Sequence, residues 1–179
     1  MTFALAAVLL AGCQSNPEPP PFESASDAAT PTATASPADA APTLPPEAKG
    51  TSEASAKAFV RHYFDTLNYA MNSGQTKHLR SLATRECESC GAISNNIDRT
   101  YEVGGHIKSR GWLLQSIALV PRQSSERPIL DLGVLMTAEE VTSESGAEPE
   151  LFTGGRQPMT IYLVRLGGQW RVARLDRVA

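Results

Sequence analysis

The stretch from Gly50 to Gly74, GTSEASAKAFVRHYFDTLNYAMNSG, constrains the fold more than any other. Phe59, Val60, Tyr63, Phe64, Leu67, Ala70 and Met71 recur at three- and four-residue steps, which makes one broad apolar face on a helix. A face that wide has to be covered by another layer. Thr51 or Ser52 is suited to cap this helix, Glu53 complements its positive end, and Gly74 stops it.

Two shorter helices are expected next. One is capped by Thr76 and turns Leu79 and Leu82 inward. The other begins near Cys87–Cys90, carries Ile93, Ile97 and Tyr101 on one face, and ends at Gly104-Gly105. Strands follow. WLLQSIALV is apolar on both faces, which reads as a central strand. ILDLGVLM sets Leu130, Leu132, Val134 and Met136 on one side, with Asp131 and Gly133 on the other. A polar loop around SESGAEPE leads to a weak strand near Leu151-Phe152. MTIYLVRL and QWRVARLD are joined by Gly167-Gly168, the strong signal of a type I′ hairpin. Helices first and strands after make an α+β layout, with three helices packed on a curved antiparallel sheet. That is the element order of an NTF2-like cone.

The N-terminus carries an address. Phe3 to Ala11 is apolar and small, and nine such residues make about 14 Å of helix, too short for a bilayer core of roughly 30 Å. The run suits a secretory signal, and Leu10-Ala11-Gly12-Cys13 has the pattern of a bacterial lipobox. Residues 1–12 are therefore expected to be a signal peptide. Cys13 is expected to be lipidated, its acyl chains anchoring the protein stably on the extracytoplasmic face of the cell membrane. No Lys or Arg precedes Lys49, and a basic n-region is expected upstream of Met1.

From Gln14 to Ala48 the composition shifts. Nine of the thirteen prolines lie here among Ala, Ser and Thr, with five acids and no base. Such a segment buries too little apolar surface to offset its ordering entropy, so residues 13–48 are expected to form a disordered tether. The remainder, 49–179, is of ordinary size for one domain. It holds all sixteen bases and fourteen of the nineteen acids, a net charge of +2. Near-neutral charge and few aromatics argue against a nucleic-acid partner. Arg156, Arg165, Arg171, Arg174 and Arg177 face only Asp176 near the end of the chain; a solvated edge is the simpler reading of that bias.

From Ala48 to about Arg174 the chain resembles an uncharacterised family of actinobacterial lipoproteins, a domain-of-unknown-function family. The residues that carry the resemblance are EAKGTSEASAKAFVRHYFDTLNYA, CESC, YEVGGHIKSRGW and the closing QWRVA, together with LAGC. The resemblance implies an NTF2-like fold and a lipid-anchored location. It brings no activity with it.

CESC remains. Outside the cytosol an even pair of thiols oxidises, and Cys87 and Cys90, at i and i+3 on a helical turn, are roughly 5 to 5.5 Å apart at Cα, within disulfide range. A structural disulfide is the favoured reading. A redox pair is the weaker one: Glu86 and Glu88 disfavour a thiolate, Arg85 offsets them only in part, and no strand precedes the pair. A zinc site wants four ligands, and His62, His78 and His106 are scattered. No G-x-S-x-G, P-loop, Rossmann or H-E-x-x-H pattern occurs, and no metal or cofactor is expected.

If the cone has a pocket, His62, Tyr63, Asp65, Tyr69, His106 and Asp131 are the residues available to serve it, His62 and Asp65 being close enough on one helix to pair. Two functions compete. The favoured one is a non-catalytic domain that binds an envelope protein, a peptide or a small ligand. The other is a cone-fold enzyme of isomerase or dehydratase type, which needs at least two ionisable side chains converging in one pocket. A redox partner is a third, and needs an easily reduced CESC pair.

Overall fold

The computed structural model describes residues 40–178. The expected signal peptide, Cys13 and most of the expected tether lie outside these residues. Three helices come first: α1 (Glu53–Ser73), α2 (Lys77–Ser81) and α3 (Glu88–Glu102). Seven strands follow: β1 (His106–Ser109), β2 (Trp112–Leu119), β3 (Ile129–Met136), β4 (Glu139–Thr142), β5 (Glu150–Phe152), β6 (Gly155–Leu166) and β7 (Gln169–Arg177).

Ser52 caps α1, its hydroxyl accepting the N–H of Ser55 at 3.2 Å. At the far end Gly74 takes a left-handed φ of 72° and returns its N–H to Ala70 O at 2.8 Å. All seven apolar residues expected on the inner face of α1 are buried. Thr76 does not cap α2. Its hydroxyl donates instead to Asp98 Oδ1 at 2.5 Å, and Arg80 also pairs with Asp98, so this cluster ties α2 to α3. Partial desolvation works against the Asp98 carboxylate, but the hydrogen bonds from Thr76 and Arg80 and the guanidinium charge hold its pKa below the ordinary value.

The strands form two antiparallel sheets among the described residues rather than the single sheet expected. One is ordered β2-β3-β6-β7 and the other β1-β4-β5. WLLQSIALV is not central; β2 lies at the edge of the four-stranded sheet. A bulge between Leu114 and Ser116 explains the misreading. The extra residue shifts the alternation, so Trp112, Leu114, Ile117 and Leu119 turn inward while Leu113 and Ala118 meet solvent. In sequence this looks like a strand apolar on both faces. Strands β1 and β4 carry no periodic signal of their own, since four residues each are too few to show one.

The Gly167-Gly168 hairpin is present. Leu166 pairs with Gln169, and both glycines have positive φ, 57° and 77°. The inner face of the large sheet, Leu130, Leu132 and Val134 with Ile161, Leu163 and Val172, closes on α1 to form the core. Residues upstream of the expected boundary at residue 49 pack with the domain. Pro46–Lys49 forms a 3-10 turn, Ala48 is buried and Leu44 packs against the core. The last part of the expected tether thus belongs to the folded domain.

Candidate functional site

The first turns of α3 stand off from the inner face of the large sheet and leave a groove of about 510 Å³. Its wall on the helix side is Ser89, Ala92 and Ile93. Its floor is Trp112, Met159 and Leu175, all buried in the core. Arg174, Asp176 and Arg177 form the rim, because the end of β7 passes along the opening. A volume of this size suits a small molecule or a short peptide segment.

Trp112 is held from two directions. Its indole N–H donates to Glu139 Oε1 at 3.0 Å. Its backbone is gripped by Asn68 of α1, whose Oδ1 accepts the Trp112 N–H at 2.7 Å and whose Nδ2 donates to the Trp112 carbonyl at 3.2 Å. Asn68 therefore serves β2 as a partner strand would. The approach is so close that a Cβ at Gly111, φ 94°, would lie 2.4 Å from the Asn68 side chain; only glycine fits there.

At the rim, Asp176 accepts both Nε (2.7 Å) and Nη2 of Arg174, and the Arg174 guanidinium stacks over Tyr162 at 4.6 Å. Arg177 sits over the Trp112 ring at 6.0 Å from its centroid and makes no ion pair among the described residues.

The six residues singled out in the sequence do not come together here. His62 and Tyr63 turn from α1 into the core, and among the described residues neither His62 Nε2 nor the Tyr63 hydroxyl has a partner. Burial, and next the neighbouring His78, lowers the His62 pKa; burial pushes that of Tyr63 well up. His62 packs edge-to-face on His78, with ring centroids 5.7 Å apart, and forms no pair with Asp65, which is exposed. Tyr69 is half-buried, and its carbonyl accepts the Ser73 hydroxyl. His106 lies on β1 with Nε2 3.4 Å from Thr142 Oγ1. Asp131 is on the outer face of the large sheet, where it accepts the Thr160 hydroxyl at 2.9 Å. None of the six lines the groove, and no trio of His, Cys, Asp or Glu fit to hold a metal occurs among the described residues. Sequence reasoning missed Trp112, Met159, Leu175 and Arg177 as a group. They come from three strands, and only the sheet register brings them together.

Cys87 and Cys90 are joined by a disulfide with a Cα separation of 5.3 Å. The closed loop, Cys87-Glu88-Ser89-Cys90, is the N-terminal turn of α3, and Ser89 within it lines the groove. A second hollow, of about 480 Å³, is lined by the bridge itself together with Arg80, Arg85 and Ser94.

The sequence pattern of a family of unknown function, DUF6318, matches residues 27–176. This chain belongs to that family. No curated protein matches it. Among solved structures, this DUF6318 member is similar to the intermembrane-space region of the chloroplast protein ARC6, at 8% identity over 69% of this chain and 94% of that one, with a TM-score of 0.52. It also resembles an NTF2-like protein with a cystatin-like fold from Novosphingobium aromaticivorans (12% identity, 68% and 79% covered, TM-score 0.43). An uncharacterised protein with a cystatin-like fold from Caulobacter vibrioides is likewise similar (11% identity, 69% and 87% covered, TM-score 0.44). At such identities the likeness speaks to fold alone: an α+β domain with helices packed against antiparallel sheets.

Proposed function

We propose that this DUF6318 member is a lipid-anchored, non-catalytic binding domain on the extracytoplasmic face of a bacterial, specifically actinobacterial, cell membrane. Its groove beside α3 would take a small envelope ligand or a segment of an envelope protein. The observation that carries the reading is the make-up of that groove: an apolar floor, a rim of fixed charge, and none of the six ionisable side chains that a cone-fold isomerase or dehydratase could have used. The anchor rests on the LAGC motif at Cys13 and the apolar run before it. The Cys87–Cys90 bridge supports an oxidising compartment.

The test is expression with the LAGC motif and its apolar run intact in a bacterial host that makes lipoproteins. The expected result is incorporation of labelled palmitate and recovery in the membrane fraction, both lost in Cys13→Ser. Wild-type protein found unprocessed in the soluble extract overturns the reading of location.

A further inference from the structure

We infer that the groove between α3 and β7 accepts an amphiphilic anion, an apolar chain or ring carrying a carboxylate, whose charged end is held by Arg177. This rests on the groove being the binding site proposed above, and adds the chemistry of what fills it. The floor of Trp112, Met159 and Leu175, with Ile93 on the wall beside it, offers only hydrocarbon, an indole and a thioether to the body of a ligand. The polar atom of that indole is turned away and already satisfied by Glu139, so the floor asks for no hydrogen bond.

The rim decides the sign of the head group. Three charged side chains border the groove, two guanidiniums and one carboxylate. Nε and Nη2 of Arg174 both donate to one oxygen, Oδ2, of Asp176, so these two charges are paired, and Arg174 is further committed to the face of Tyr162. That leaves Arg177 with an unspent charge among the described residues. Its guanidinium carbon lies 6.0 Å from the Trp112 ring centroid, beside the apolar floor, with no ion pair among the described residues to engage its N–H donors. The one carboxylate in the lining does not repel such a ligand strongly, because Arg174 already holds it. An apolar floor with a fork-shaped cation at one end matches an apolar body with a carboxylate at one end, and a neutral alcohol of the same length would leave the guanidinium unused.

Isothermal titration calorimetry on the full chain carrying Cys13→Ser tests this with two probes, octanoate and octan-1-ol. Octanoate is expected to bind about tenfold more tightly than octan-1-ol. Arg177→Met, which keeps the apolar stem, should bring octanoate down to the level of the alcohol and leave the alcohol unchanged. Equal affinities in the parent, or a preference that survives Arg177→Met, overturns the anion inference while leaving the groove as the site. Ala92→Trp fills the groove from an exposed position of α3 without touching the core, and is expected to abolish binding of both probes. If neither probe binds the parent, or if both bind Ala92→Trp undiminished, the groove itself is not the site and the proposal falls with it.

Discussion

At the scale of single residues, His62 shows how a polar group in the wrong place for chemistry becomes a determinant of stability. It is 2% exposed, its Nε2 is unsatisfied, and burial with His78 nearby lowers its pKa. The folded protein therefore binds fewer protons at this site than the unfolded chain, whose imidazole titrates near about 6.5. Stability should be full above that value and fall as pH drops through it toward the folded pKa. The urea midpoint is expected to be lower at pH 5 than at pH 7.5, and the difference should shrink in His62→Leu. The sequence put His62 and Asp65 within pairing distance on one helix. The helical period sets Asp65 opposite the centre of the apolar stripe, in water, but it also sets His62 outside the stripe, so the burial of His62 was not legible. Neighbours on α2 settled it: His78 fills the space beside His62.

Among the elements, α3 and β2 depend on devices of different legibility. The bridge at the head of α3 was readable, since two cysteines three apart on a helical turn are close enough whatever surrounds them. A loop of four residues should contribute about 2 kcal/mol by chain entropy, and Cys90→Ala is expected to lose that much in chemical denaturation. Cys87→Ser should lose less, because Cys87 is the N-cap residue of α3 and a serine hydroxyl there can cap the helix. The start of β2 was not readable. As an edge strand it borrows Asn68 from α1, 44 residues away in sequence, to satisfy the backbone of Trp112. Asn68→Ala leaves that N–H and carbonyl without partners. It should cost roughly 1–3 kcal/mol, read as a lowered thermal midpoint, and should loosen Trp112 in the floor of the groove. An asparagine on a helix reads locally as a solvated polar residue, which is why nothing marked this one.

For the whole molecule, the dividing line follows the range of the interactions. Local periodicity and turn chemistry specify the three helices, the Gly167-Gly168 hairpin, the inward face of β3 and the α+β class, because each arises among residues a few positions apart. The bridge between Cys87 and Cys90 belongs to the same category. Which strand lies at an edge, how the strands divide between two sheets, and that Leu44 and Ala48 join the core depend on contacts across the fold. There a single bulge in β2 or an alanine at position 48 slotted against α1 outweighs any local signal. The groove lies beyond the reach of sequence for the same reason. Trp112, Met159, Leu175 and Arg177 stand on β2, β6 and β7. They acquire a common purpose only once backbone hydrogen bonds set the register and α3 stands over them.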